Sequence, residues 1–409
     1  MAQKLRWRFK LLLFNYFPRF AVGLVFIYIY CEYLIYYVTQ IQCGWPALVK
    51  EPTEGVEPVY AMVLADTHLL GSREGHWIDK WRREWQMHRA FQSAMTLHQP
   101  EVVFVLGDLF DEGKWCSEKE FNEYVERFNT LFKVPEGTTM HAVVGNHDIG
   151  YHYSKKLERE SRAAGPLESD VFRRITPNLL NRFESKMKAS PVELVSIRGN
   201  HFVLINSMAM EGDGCTLCSR AQAELDKVAD ILKCSTGSKL CKGKMKLSQY
   251  SRPIIMQHYP LYRESDKACT EVDAAPLEER NNLFEERWDC LSKESTEYLV
   301  ENLRPRAAFG GHTHHGCIVR HSFVPTRNHK IEFIEYTVPS FSWRNRLDPK
   351  YYLLTITPEE LKVAKCGMPR EQTIQVTAII MTIILLVYLR YFYKSGEMWN
   401  YKYLSGKKV

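Results

Sequence analysis

Apolar residues in this chain fall into two kinds of run, long and short. The first long run, Leu11 to Val38, is apolar and aromatic, interrupted by Asn15, Pro18, Arg19 and Glu32. Its cleaner part, Phe20 to Val38, is about the length that crosses a bilayer. A second long run, Val376 to Leu389, lies within Ile374–Tyr393. The short runs are three to six residues and read as buried strands: Val59–Leu64, Val102–Leu106, His141–Val144, His201–Ile205, Pro253–Met256, Ala307–Phe309, Ile331–Tyr336 and Tyr352–Ile356. Between them, Asp79–Leu97 is helical, with apolar positions at Trp81, Trp85, His88 and Phe91, and Glu118–Phe132 is an amphipathic helix. Strand, helix and strand in alternation predict an α/β layered sheet between the long runs. Tyr151–Leu194 is charged and helical in part, and the polar, Cys- and Lys-rich Cys215–Gln249 reads as an inserted excursion. There is no internal repeat, no low-complexity tract and no N-x-S/T acceptor site.

Charge changes this picture at the ends. The chain has 409 residues, 25% of them charged, and a net charge of +6, much of it terminal. Lys4, Arg6, Arg8 and Lys10 precede the first long run, and Arg390, Lys394, Lys402, Lys407 and Lys408 edge or follow the second. Basic flanks on the outer side of both runs place both ends in the cytosol by the positive-inside rule. The expected layout is a cytosolic arm at 1–19, a transmembrane helix at 20–40, a lumenal domain at 41–370, a second transmembrane helix at 371–393 and a cytosolic basic tail at 394–409. No basic stripe accompanies the central motifs, which argues against nucleic acid as a partner. Eleven cysteines, with CxxC only at Cys215–Cys218, do not complete a zinc finger and suit disulfides in an oxidising lumen.

Candidate chemistry clusters where the short apolar runs end. Asp66 and His68 follow the first strand, Asp108 the second, Asn146 and His147 the third, His258 the run PIIMQ, and His312 and His314 the run AAFGG. Open α/β sheets place ligands at the carboxyl ends of their strands. Carboxylate, imidazole and amide donors at several such ends, with one carboxylate able to bridge, suit two metal ions 3.5–4 Å apart that activate water and clamp a phosphate. Imidazole with carboxylate favours zinc, iron or manganese over calcium. Gly145 lets the backbone approach closely. His147, beside a ligand and followed by Asp148, reads as an acid oriented by that carboxylate. Asp111 reads as a turn or helix cap.

DxH, GDxxD, GNHD, H and GHTH in this order, over Val59–His314, resemble the calcineurin-like metallophosphoesterase superfamily. The resemblance implies a layered β-sandwich flanked by helices. It implies one metal on Asp66, His68, Asp108 and His314 and another on Asp108, Asn146, His258 and His312, with a bridging hydroxide for in-line attack. It gives His147 contact with the phosphate and the leaving oxygen, with Asp148 orienting it. The whole layout, two spans around a lumenal phosphoesterase domain, is similar to membrane metallophosphoesterases that remodel glycosylphosphatidylinositol (GPI) anchors. That likeness implies removal of ethanolamine phosphate from the second mannose of the anchor glycan, with manganese expected and zinc or iron as alternatives. It implies GPI-anchored proteins as substrates and residence in endoplasmic reticulum exit sites, the intermediate compartment and the cis-Golgi, in support of ER-to-Golgi transport. The cytosolic tail would meet cargo receptors or coat proteins. However, Gly406 before Lys407 departs from a strict dilysine signal. A lumenal phosphatase acting on phosphoproteins or nucleotides, a metal-free scaffold and a nuclease are the other readings.

The stretch Thr337–Asn345 follows a strand of the GHTH sheet. Phe341 and Trp343 are candidates to stack on a sugar and Arg344 to pair with phosphate. The competing reading is a turn with Trp343 in the core and Arg344 solvated.

Overall fold

The computed structural model describes residues 16–49, 55–151, 175–210, 216–237, 241, 245–324 and 330–405. The basic N-terminal arm, Lys407, Lys408, Cys215 and most of the charged stretch after Tyr151 lie outside the described residues. The chain forms two compact units, one built on the terminal apolar helices and the other spanning Gln42–Met368.

In the first unit, apolar helices run over Phe17–Gln40 and Glu371–Ser395, 24 and 25 residues, each long enough to cross a bilayer. The second continues to Ser405. The first opens to a π turn at Tyr30–Leu34, which contains Glu32. The helices meet at Gly23, where a Cβ would lie 2.4 Å from Leu385 Cδ1. Tyr16 Oη donates to the Leu389 carbonyl at 2.8 Å.

In the second unit, β1 (Val59–Leu64), β2 (Val102–Leu106) and β3 (Thr139–Val143) are parallel neighbours. The other strands are β4 (Val192–Ile197), β5 (Asn200–Ile205), β6 (Ile254–Gln257), β7 (Ala307–Gly310), β8 (Cys317–Phe323), β9 (Ile331–Thr337), β10 (Lys350–Ile356) and β11 (Leu361–Gly367). They form two mixed sheets, β11-β10-β1-β2-β3 and β4-β5-β6-β7-β9-β8. Two stacked sheets with helices form the layered α/β sandwich that the motif order implied. The core lies between the sheets and is built from every second residue: Ala61 and Val63, Phe104 and Leu106, Phe202 and Leu204, Ile254 and Met256, Tyr352 and Leu354. The intervening Met62, Leu64, Val103 and Val105 are also fully buried. That two-sided burial is why the strands read as unbroken apolar runs.

Helices α1 (Trp77–His98), α2 (Glu118–Leu131), α3 (Pro177–Met187), α4 (Thr216–Ser235) and α5 (Lys293–Leu303) complete the described unit. Ser117 starts α2 through a capping box with Glu120. The Cys215–Gln249 stretch is not wholly an excursion. Ala221, Leu225, Val228 and Leu232 recur at helical spacing and are buried by α4, a stripe that the flanking lysines obscure in sequence. Strands β4, β8 and β11 have no counterpart among the expected runs. Each is a sheet edge or edge-adjacent strand with mixed burial, so the apolar signal is diluted.

Disulfides join Cys43 to Cys366, Cys234 to Cys241 and Cys269 to Cys317. Cys116 and Cys290 are buried thiols, pushed up by burial to about 11 and about 12.

Candidate metal centre

Each short parallel strand delivers its chemistry at its carboxyl end, and the backbone there leaves ordinary conformations. Asp66, His68, Asp108, His312 and His314 all have positive φ, between 43° and 72°. Such residues cost about 1–3 kcal/mol each and persist where surrounding structure over-determines them. That structure is visible: His68 N donates to Asp108 O at 2.9 Å, Gly311 N to His258 O at 2.8 Å, and His312 N to Asp66 Oδ1 at 3.1 Å. Two glycines permit the approach. A Cβ at Gly145 would lie 2.2 Å from Asp108 Oδ1, and one at Gly107, where φ is +81°, would lie 2.6 Å from His258 Nδ1.

Two donor groups result, and Asp108 is in both. Ligand atoms of Asp66, His68, Asp108 and His314 lie within 4.8 Å of one another, as do those of Asp108, His258 and His312. In the first group His68 Nε2 is 3.0 Å from His314 Nε2 and 3.5 Å from Asp108 Oδ2. In the second, His258 Nε2 is 3.0 Å from Asn146 Oδ1 and 3.3 Å from Asp108 Oδ2. The fold thus brings together all seven residues singled out as ligands. Asp266, Cys269 and Cys317 also converge, but the two sulfurs are consumed in a disulfide.

Hydrogen bonds behind the ligands fix which nitrogens face inward. His258 Nδ1 meets the Leu106 carbonyl at 2.7 Å and His312 Nε2 the Trp288 carbonyl at 2.8 Å. A carbonyl only accepts, so those nitrogens carry the protons and the opposite ones present lone pairs. His68 Nδ1 donates to Asp111 Oδ1 at 2.9 Å, with the same consequence. Asn146 Nδ2 donates to Tyr151 Oη at 2.7 Å and turns its oxygen towards His258. Lone pairs of imidazole, amide and carboxylate therefore point at one another in two buried places. Such sets fit divalent cations, and partners behind the ligands are the usual means of orienting them. Electrostatics agree at two of the imidazoles, whereas at His258 burial is outweighed by the Asp108 carboxylate, which raises the ring to about 9 and leaves it a proton that a bound cation would displace. Burial, then His258, holds His312 down to about 3, and burial with His68 holds His314 well below the usual imidazole range, so both are neutral donors. Burial raises Asp66 to about 8 against the pull of His258, the response of a carboxylate short of positive charge.

His147 belongs to a different group. Its Nδ1 lies 3.2 Å from Asp111 Oδ1, and its backbone N donates to Asp108 Oδ1 at 2.7 Å. The imidazole is partly exposed, as is that of His314, whereas Asp66, His68, Asp108, Asn146 and His258 are buried. Asp148 does not orient it. The Asp148 carboxylate accepts from Gly145 N at 2.8 Å and Phe110 N at 2.9 Å and closes the loop. The orienting carboxylate is Asp111, expected only as a cap, which also holds His68 and ion-pairs with Arg344. The GDxxD spacing carried that signal, since three residues past Asp108 is within reach of the same site.

Other residues at the site had no sequence signal. Lys114 is buried, with Nζ 3.2 Å from His147 Nδ1 and 4.6 Å from the Trp115 ring centroid. Tyr151 stacks on Trp288 at 4.0 Å and 11°. This aromatic pair anchors Asn146 through a hydroxyl and His312 through a carbonyl. The Thr337–Asn345 stretch does reach the rim, where Ser340 Oγ donates to Asp66 O at 2.7 Å. Phe341 and Trp343 are buried, however, and offer no face to a sugar. Arg344 is solvent-exposed at the rim, as the competing reading has it, and its guanidinium pairs with Asp111 and Glu74.

The calcineurin-like phosphoesterase profile matches residues 60–316. Over 400 residues the chain is 40% identical to Metallophosphoesterase 1 of Danio rerio, covering 95% of this chain and 97% of that protein. It is 44% identical over 371 residues to Metallophosphoesterase 1 of Ailuropoda melanoleuca, covering 89% and 87%. It is likewise 44% identical over 376 residues to that of Rattus norvegicus, covering 90% and 87%.

Proposed function

Because this chain belongs to the calcineurin-like phosphoesterase family and is a binuclear metal-dependent phosphoesterase, we propose that it cleaves a phosphodiester carried at a membrane, the ethanolamine-phosphate branch on the second mannose of GPI anchors. One feature carries this reading of the substrate: a phosphoesterase unit flanked in sequence by two apolar helices of bilayer length. A tethered enzyme meets a lipid-anchored substrate at high effective concentration.

In this reading Asp66, His68, Asp108 and His314 hold one divalent cation, and Asp108, Asn146, His258 and His312 hold the other. Manganese is the expected metal. When bound, the pair supplies Lewis acidity and a nucleophilic water at neutral pH. Asp111 keeps His147 Nδ1 occupied, so that Nε2 faces the phosphoryl group and can give a proton to the leaving alkoxide. The unit is lumenal and the tail cytosolic, where cargo receptors or coat proteins would bind. The protein would then act between endoplasmic reticulum exit sites and the cis-Golgi on GPI-anchored proteins.

The test is hydrolysis by the full chain, with manganese and with zinc. Substrates are a GPI glycan branched on the second mannose, the same glycan branched elsewhere, a phosphopeptide and a nucleotide. Release of ethanolamine phosphate from the first alone is expected. Faster cleavage of the phosphopeptide or nucleotide would instead establish a lumenal phosphatase.

A further inference from the structure

We propose that the site end of the phosphoesterase unit docks on the bilayer surface through Trp77, Ile78 and Trp81. Antiparallel register puts Gly367 of β11 opposite Lys350 of β10, and Tyr352 of β10 opposite Val63 of β1. The last residue of the last strand is therefore level with the carboxyl tip of β1, where Asp66 follows. Two strand spacings, about 10 Å, separate them laterally. Cys43, just inside the amino end of this unit, is bonded to Cys366. The chain thus enters and leaves the unit at the end that carries the metal site. Only Met368, Pro369 and Arg370 precede Glu371, where the C-terminal apolar helix begins.

Large apolar side chains are left in water at that end. Helix α1 starts as soon as the loop bearing Asp66 and His68 ends. Its first turns expose Trp77 at 71%, Ile78 at 50% and Trp81 at 62%. Positions i, i+1 and i+4 share a helix face. Leu347, in the loop leading into β10, and Leu277 and Leu283, between β6 and α5, are also exposed on segments that leave the site end. Monomeric proteins seldom leave such groups together without a partner. Tryptophan is the side chain that favours the membrane–water interface, with an apolar body and one donor. The occupant is the bilayer because the chain itself leads to two bilayer-length helices from this end. Docking there would turn the metal site towards substrates held in the membrane.

The proposal rests on the terminal helices being membrane spans, and its test uses no GPI glycan. The full chain is reconstituted in phosphatidylcholine vesicles with bromines near the headgroup, as wild type and as Trp77→Ala/Trp81→Ala. The wild type should show a tryptophan component quenched by bromine that the variant lacks. The variant should cleave hexadecyl p-nitrophenyl phosphate in the vesicles severalfold more slowly, yet keep the wild-type rate on soluble bis(p-nitrophenyl) phosphate. Trp77→Phe/Trp81→Phe should restore the vesicle rate. Quenching of that component by aqueous acrylamide but not by bromine would overturn the proposal. Shielding from both quenchers would overturn it in favour of a protein partner or a second copy. Equal loss on both substrates, or loss on neither, would also overturn it.

Discussion

Replacing Asp111 by Asn is the sharpest test of the metal-centre geometry, because one carboxylate serves three cationic or donor groups. Its oxygens accept from His68 Nδ1 at 2.9 Å, meet His147 Nδ1 at 3.2 Å and pair with Arg344. Asn has the same shape but one acceptor and one donor. Whichever way the amide turns, its NH2 group faces an N–H. The variant therefore loses at least one hydrogen bond to a charged group, about 1.5–3 kcal/mol. Independently, removing a partner behind a metal-ligating His costs about 10–100-fold in affinity or activity. Tenfold is about 1.4 kcal/mol, so both routes give the same range. The expected outcome is a fall of about 10–100-fold in kcat/KM, with the thermal midpoint lowered by a few degrees. Equilibrium dialysis with manganese divides the loss. Weakened metal binding places it on His68. Full binding with a larger loss on an alkyl than on an aryl phosphodiester places it on His147. Rate and metal binding within twofold of wild type would refute the reasoning and return Asp111 to a turn cap.

Asp148→Ala should act on stability instead, since it strands the buried N–H groups of Gly145 and Phe110, at about 1–3 kcal/mol each. A denaturant midpoint measures this, and normal stability with a rate loss like that of Asp111→Asn would restore an orienting role to Asp148. Asp273 is buried between Lys365 Nζ at 2.7 Å and Lys350 Nζ at 3.2 Å. Burial alone would raise its pKa, but the two ammonium groups outweigh it and hold the carboxyl below its ordinary value. A depressed folded pKa gives stability that is fully present above the unfolded value, about 3.9, and lost as pH falls through the folded one. Asp273→Asn should therefore lower the thermal midpoint at pH 7, with the two proteins converging in acid. A constant gap from pH 7 to pH 2 would contradict this.

The positive φ angles at the ligands connect fold to function. They aim five side chains into one region from three strand ends, β1, β2 and β7. The energy they cost is met by the packed core, where alternate residues of both sheets interlock immediately beneath. A rigid platform of this kind suits chemistry that depends on donors being in place before substrate arrives.

Sequence by itself determined what depends on local pattern. Two-sided burial makes β1 and β2 continuous apolar runs, so their ends, and the polar residues after them, were legible as candidate donors. The apolar helices were legible for the same reason, since length and composition are local properties. Tertiary structure decided whatever joins distant positions. His68 and Asp111 are 43 residues apart, His258 and Asn146 are 112, and Arg344 and Asp111 are 233. None of these pairs shares a period or a motif. The disulfide partners, the Tyr151–Trp288 stack and the burial of Trp343 are of the same kind. Asp148 was misread because adjacency along the chain suggested contact with His147, whereas the turn after Gly145 directs its carboxylate to backbone N–H groups. A buried donor must be satisfied by whatever acceptor the fold brings near it, and only the assembled sheets bring Asp111 to His147.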